Sequence, residues 1–253
     1  MNKTSNKTRK NALLMISVFI GILAGALVFS CTHEDEVLIT KGPNITRGDH
    51  RYIYDPLNPA TLSFDKTHCN VNWSTAYQGA LGLLTGRFDT FGITRFVFVE
   101  NNPDSISFEF WVWVNSVNTS EPGRDHGCLA GKNKSTFGVT QAMTTEDANV
   151  AILKSKSVTY STTDNGYIVK CDLTFHDTTG NSTGTRFVHE IIGKLKFDGV
   201  VVTLPVPPAT VTKEAIGFSL DFPMLAKTDF GIVSTSIADQ VNIDCNVVFR
   251  RSY

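Results

Sequence analysis

From Leu62 onward the chain alternates apolar and polar residues with period two. Cys69, Val71 and Trp73 alternate with Asn70 and Asn72, and Ile106, Phe108, Phe110, Val112 and Val114 hold one phase of a second run. Tyr167, Val169, Cys171, Leu173 and Phe175 alternate with Ile168, Lys170, Asp172 and Thr174. Val241, Ile243, Cys245, Val247 and Phe249 do so with Asn242, Asp244, Asn246, Val248 and Arg250. A period of two sustained this long predicts strands with one wet face. Asp164-Asn165-Gly166 and Asp198-Gly199 supply turn chemistry ahead of two runs. Residues 120–149 break the alternation and predict short helical turns or a long loop, and Pro205-Val206-Pro207-Pro208 ends a strand near Leu204. The expectation is an all-β, mostly antiparallel domain over 61–253. Periodicity alone leaves a packed sandwich and a closed barrel both open.

The first sixty residues read differently. Lys3, Lys7, Arg9 and Lys10 precede an uncharged apolar run, Ala12 to Phe29, which ends at Ser30-Cys31. A basic start, an apolar middle and a small residue before the cut describe a secretory signal over 1–30. The cysteine placed directly after it resembles the lipobox of bacterial lipoproteins, whose thiol is acylated, so Cys31 is the expected lipidation site. An uncleaved membrane anchor is the alternative. Glu34-Asp35-Glu36 resembles the acidic export signals that carry some Bacteroidetes lipoproteins to the cell surface; a solvated linker reads equally well. Residues 31–60, with Pro43, Gly48, Pro56 and Pro59, read as a flexible tether. The expected location is the cell envelope, at the outer membrane on its periplasmic face or the cell surface.

Composition sharpens this picture. Threonine, valine and isoleucine make up 68 of 253 residues, which favours sheet over helical bundle. Outside the first thirty residues 19 basic side chains face 24 acidic ones, so nothing attracts nucleic acid electrostatically. The six histidines show no metal-ligand spacing, Cys-x-x-Cys is absent, and neither a Gly-x-Ser-x-Gly elbow nor a phosphate loop occurs. Arg124, Asp125, His126 and Cys128 form the one cluster with chemical potential. Residues two apart seldom assemble a nucleophile and its base, so a salt bridge or cap from Arg124 and Asp125 is the plainer reading. Among Cys69, Cys128, Cys171 and Cys245, the pair Cys69 and Cys245 is the best placed for a disulfide if their strands are neighbours, and free buried thiols are the alternative.

Five blocks in order carry a family resemblance. Asp65-Lys66-Thr67-His68-Cys69 opening an alternating strand, Gly86-Arg87-Phe88, Ser116-Val117-Asn118-Thr119 followed by Arg124-Asp125, Asp172-Leu173-Thr174, and Lys227-Thr228-Asp229-Phe230-Gly231 together resemble the YceI family. Cys69, Cys171 and Lys227 replace that family's usual serine, glycine and arginine. The resemblance implies an extended antiparallel eight-stranded lipocalin-like barrel with a short helical or loop insertion, holding a long isoprenoid-type lipid in its lumen without catalysis and without other cofactors. On that picture the lumen is lined by Cys69, Val71, Trp73, Phe108, Phe110, Val112, Tyr167, Val169, Cys171, Leu173, Val241, Ile243, Cys245 and Val247. His68, Arg87 and Lys227 are candidates for a headgroup, and a homodimer fits the family's habit. The competing reading is an envelope protein with a packed barrel that binds a partner through its outer face, with Trp111 and Trp113 exposed side by side.

Overall fold

The computed structural model describes residues 50–58, 62–78, 81–146, 148–177, 186–205 and 210–252. The signal-like segment, Cys31 and the acidic run lie outside the described residues. Strands β1 (Arg51–Tyr54), β2 (Ser63–Phe64), β3 (Asn70–Tyr77), β4 (Gly82–Phe88), β5 (Phe91–Val99) and β6 (Ser107–Trp113) come first. They are followed by β7 (Val117–Asn118), β8 (Val150–Ser161), β9 (Gly166–His176), β10 (Arg186–Thr203), β11 (Lys213–Leu225) and β12 (Ile237–Ser252). All belong to one antiparallel sheet.

The sheet curls on itself as a lipocalin-like barrel. β4 runs into β5 through Asp89 and Thr90, and β6 into β7 through the turn Val114–Ser116. These two bent strands pair with each other at Phe88 with Val117 and at Phe91 with Val112. From β6 the ladders run to β8, β9, β10, β11, β12, β3 and back to β4. Counted as continuous strands the wall therefore has the expected eight. The sheet holds twelve segments because two strands are interrupted and the short β1 and β2 are added.

Those two additions revise the tether. β3 begins only at Asn70, and β1 pairs with β5 while β2 pairs with β12, so the short strands fill the wall below it. The Leu62 amide donates to the Ile53 carbonyl (3.1 Å) and joins them. Residues 51–54, expected within the flexible segment, thus belong to the barrel, and Tyr52 is buried in its core. A short aromatic strand, Arg-Tyr-Ile-Tyr, gives too little alternation to be read from sequence. A second correction concerns Asp198-Gly199. β10 passes straight through it, and the extra residue is absorbed as a bulge against β11 with Gly199 at φ 119°.

Alternation sends one phase of each strand inward, but the two halves of the barrel fill differently. At the end bearing β1, Phe96, Phe98, Phe108, Phe218 and Phe249 are fully buried. Their rings meet at 4.7 Å between Phe96 and Phe218, 4.9 Å between Phe96 and Phe249, and 5.0 Å between Phe98 and Phe218. Tilted aromatic pairs at these spacings stabilise beyond their buried area. This plug closes one end. The outer phase is wet: Lys156 bridges Asp172 (3.1 Å) and Glu190 (2.9 Å) across three strands. Among the described residues every member of the main core lies between Tyr52 and Phe249 and the ring closes on itself, so this stretch has what an independently folding unit requires. No helix among the described residues is long and apolar enough to cross a membrane.

Candidate functional site

Above the plug the lumen is open. It encloses a cavity of about 280 Å³ lined almost entirely by apolar side chains. β3 contributes Val71 and Trp73, β6 contributes Phe110 and Val112, and β12 contributes Val241, Ile243, Cys245 and Val247. Ten of the fourteen side chains expected in the lumen lie here; Cys69 and Leu173 complete that set. Phe108, Tyr167, Val169 and Cys171 do not. They share the inward phase, but they sit lower in the barrel, where they are almost wholly buried in the core. Phe108 packs on Phe110 at 4.9 Å between ring centroids, so the cavity floor lies between these two residues.

The mouth is roofed by two connections. Residues 122–137 form one helical segment that alternates α and π geometry. Leu129, Lys132, Asn133 and Phe137, at helical spacing, turn toward the cavity. Asp125 anchors this segment by accepting from the Thr119 amide (3.0 Å) and hydroxyl (2.7 Å), and Asn133 Nδ2 donates to the Val114 carbonyl (3.0 Å). The second connection is the short helix Ala226–Phe230, which ends at Gly231. Gly231 sits at φ 64°, a left-handed conformation that costs an L side chain energy, and its amide donates to the Lys227 carbonyl (3.0 Å). That cap aims Phe230 and Ile232 into the cavity, where Phe230 meets Phe137 and Phe175.

Polar groups in the lumen are neutral or satisfied. Thr75 Oγ1 donates to the Gln240 carbonyl (2.8 Å). Burial pushes the Cys245 thiol up to about 12, with Asp244 and Asp221 adding to the shift, so it serves as a small apolar surface. Cys69 Sγ donates to the Asp65 carbonyl (3.0 Å) and accepts from the Val248 amide (3.0 Å). Burial raises it to about 11 although the Val248 bond works the other way. The four cysteines among the described residues, Cys69, Cys128, Cys171 and Cys245, are all free thiols. Cys69 and Cys245 are on neighbouring strands as anticipated, but the residue opposite Cys245 is Val71. The ladder register therefore sets Cys69 two residues further along, bonded to β12 backbone, and the suggested bridge does not form. Among the lining residues Lys132 is the charged one, exposed at the rim.

The three headgroup candidates lie elsewhere. His68 occupies a turn outside β3, where Nδ1 contacts Asp65 Oδ2 (2.8 Å) and Arg250 also holds Asp65. Arg87 is on the outer phase of β4, pairing with Asp89 (2.8 Å) above a shallow polar depression shared with Asn72 and Asp244. Lys227 is exposed, because Ala226 and Phe230 take the inward face of their helix. Lys132, Leu129 and Phe137 were missed, although their spacing of i, i+3 and i+8 was a readable helical stripe in the insertion.

The remaining expectations resolve in the same geometry. His126 Nδ1 bonds Gln141 Oε1 (2.7 Å), whereas the exposed Cys128 thiol reaches only the Arg124 carbonyl at 3.8 Å. Nucleophile and base are not joined. Arg124 makes no ion pair with Asp125, whose carboxylate serves the Thr119 cap. Trp111 and Trp113 are each half-buried, and Trp111 folds over Gly92 and lines the cavity, so they do not form the exposed patch that the competing reading required. No group of His, Cys, Asp and Glu among the described residues could hold a metal ion.

An antiparallel barrel plugged at one end, with a blind apolar lumen at the other, defines a lipocalin-like binding protein. A YceI-like domain matches residues 62–249, and the chain belongs to that family, known for barrels that bind polyisoprenoids and not for catalysis, in the periplasm or envelope. Comparison with curated proteins finds none that matches the chain. Among solved structures it is similar to the Campylobacter jejuni YceI protein that crystallises with large solvent channels, at 16 % identity and a TM-score of 0.45. A variant of that protein with a monobromobimane guest gives the same values; each comparison covers 68 % of this chain and 86 % of the other.

Proposed function

We propose that this protein binds a long-chain isoprenoid or similar lipid in its lumen and stores, carries or sequesters it in the cell envelope, tethered through an acylated Cys31. The blind apolar cavity carries the reading. Burial of hydrocarbon is non-directional and contributes roughly 0.8 kcal/mol per methylene, so an apolar lumen suits a flexible chain. At about 280 Å³ the space lies just below the usual range of ligand pockets, roughly 300 to 1,000 Å³. It takes one end of the chain, and the rest leaves through the mouth.

The test is native mass spectrometry with organic extraction of the domain lacking residues 1–31, purified from a bacterial host. A prenyl lipid retained near one per protein is the expected result. A protein that is empty and also takes up no added prenyl lipid would sink the reading.

A further inference from the structure

We infer that the mouth end of the barrel docks on a lipid bilayer, so that lipid passes between membrane and lumen without crossing water. This rests on the reading of the cavity as a lipid site. The observation is a set of exposed apolar side chains on the segments that frame the mouth. Leu81 is 83 % exposed, Leu83 69 % and Val233 69 %, with Tyr77 and Leu225 beside them. Apart from Leu225, at the end of β11, they come from two stretches that touch: Tyr77 pairs with Ile237, and the Gln78 amide donates to the Ser236 carbonyl (2.8 Å). Three of them are outward neighbours of residues lining the lumen, Leu83 beside Leu84, Val233 beside Ile232, and Leu225 beside Met224 and Ala226. The apolar lining of the cavity thus continues over the rim onto the surface.

The occupant follows from chemistry and reach. Residues 77–86 and 230–238 contain no charged side chain, in a chain that is 19 % charged. Pressing these two stretches into hydrocarbon desolvates no ion of their own, and the exposed Lys132 and Lys227 near the mouth have stems long enough to keep their ammonium groups at the headgroup level. A protein partner, by contrast, would ordinarily be matched by a polar rim. The other end also exposes Val201 and Leu204, but behind them lies the aromatic plug and no opening. The chain reaches β1 at the plugged end, so an anchored barrel must turn its mouth back to the membrane. Between Cys31 and His50 lie nineteen peptide steps, which span up to about 65 Å when extended. The barrel height, taken from the 16 residues of β12 at ~3.3 Å each and a tilt of ~40°, is roughly 40 Å. The tether suffices.

The test is density flotation of the chain from residue 32 onward with vesicles of phosphatidylcholine alone and with phosphatidylglycerol added. The parent floats with both. The rim variant Leu81→Ser/Leu83→Ser/Val233→Ser loses at least fivefold of that flotation, and the plugged-end variant Val201→Ser/Leu204→Ser floats like the parent. All substituted positions are exposed, and circular dichroism of each variant confirms folding. A parent that stays off vesicles, a rim variant that floats as well as the parent, loss confined to the plugged-end variant, or flotation only with anionic vesicles would each overturn the proposal. So would a parent that stays off vesicles and dimerises through the rim, which gives the face to a second copy. Lipid extracted from the same preparations separates the two readings. Rim-dependent flotation of protein that never holds lipid leaves the docking standing and removes the lumen function.

Discussion

At the scale of single residues, the barrel depends on glycines that let aromatic rings lie across the backbone. Trp73 folds over its cross-strand partner Gly86, where an added Cβ would stand 2.6 Å from ring atoms, and Trp111 covers Gly92 in the same way. No rotation of a rigid indole relieves such a contact within a packed wall. Gly86→Ala is therefore expected to destabilise by about 1–3 kcal/mol, the usual cost of overpacking. Gly217→Ala provides the control, since the new Cβ meets its nearest neighbour, the Cβ of Asp198, at 3.5 Å, an ordinary contact. It should be neutral or slightly stabilising, because glycine within a strand carries an entropic cost of roughly 0.5–1 kcal/mol. Denaturant midpoints of the two variants decide the matter; equal loss would show that strand glycines here have no packing role. The arrangement also leaves the Trp73 Nε1–H buried without a partner. Half of this was legible in advance: Trp73 was assigned to the lumen from its phase, and Gly86 stood in a family motif. That the ring lies on that glycine depends on the register between strands, which no single strand encodes.

At the scale of elements, the turn before β3 is pinned to the last strand by charge. Asp65 accepts from Arg250 on β12 and from His68 three residues on. Burial alone would raise the Asp65 carboxyl, but the bonds from Arg250 and His68 outweigh it and hold the group below its usual value of 3.8. A carboxylate whose folded value is lowered contributes stability that is complete above the unfolded value and disappears as the pH falls through the folded one. Unfolding midpoints measured from pH 6 down to pH 2 should accordingly drop below about pH 4, and Asp65→Asn should flatten that drop while lowering stability at pH 6. A parallel decline in both proteins would place the acid sensitivity elsewhere. The strands themselves were legible because alternation is a local property of one sequence stretch. The elements that were not are those whose place is set by distant chain. β1 is four residues long and acquires its role from the gap that β3 leaves, and Asp198-Gly199 becomes a bulge because β11 continues past it. The headgroup candidates lie off the cavity for a related reason. Arg87 and Lys227 were chosen for charge and motif, and the alternation of β4 and the helical face of Ala226–Phe230 turn both outward.

At the scale of the whole molecule, the division between plug and lumen sets what the barrel can hold. Phe108 and Phe110 share a strand and a phase, yet one belongs to the core and the other to the cavity. The difference lies in what packs against each ring: Phe96 on the neighbouring strand with Phe197 and Phe218 from across the barrel crowd the lower half, whereas the rings of Phe137, Phe175 and Phe230 above line the cavity and leave it open. Cavity depth is thus a property of rings contributed by β5, β10 and β11 together, which explains why inward phase alone placed Tyr167, Val169 and Cys171 in the lumen. It also makes depth adjustable. Phe110 contacts Phe108 at 4.9 Å and Phe96 at 6.2 Å, and its removal opens the floor toward the plug. Phe110→Ala should cost less than the roughly 3–5 kcal/mol of a fully buried aromatic, because one side of its ring already borders open cavity, and the cost shrinks further to the extent that ligand fills the space. Lipid extracted from the variant should then shift toward longer chains, and added long-chain prenyl lipid should raise its melting temperature more than that of the parent. If the variant is destabilised but retains the parent's lipid profile, Phe110 is wall and not floor, and chain length is set at the mouth by the helical segment bearing Leu129 and Phe137.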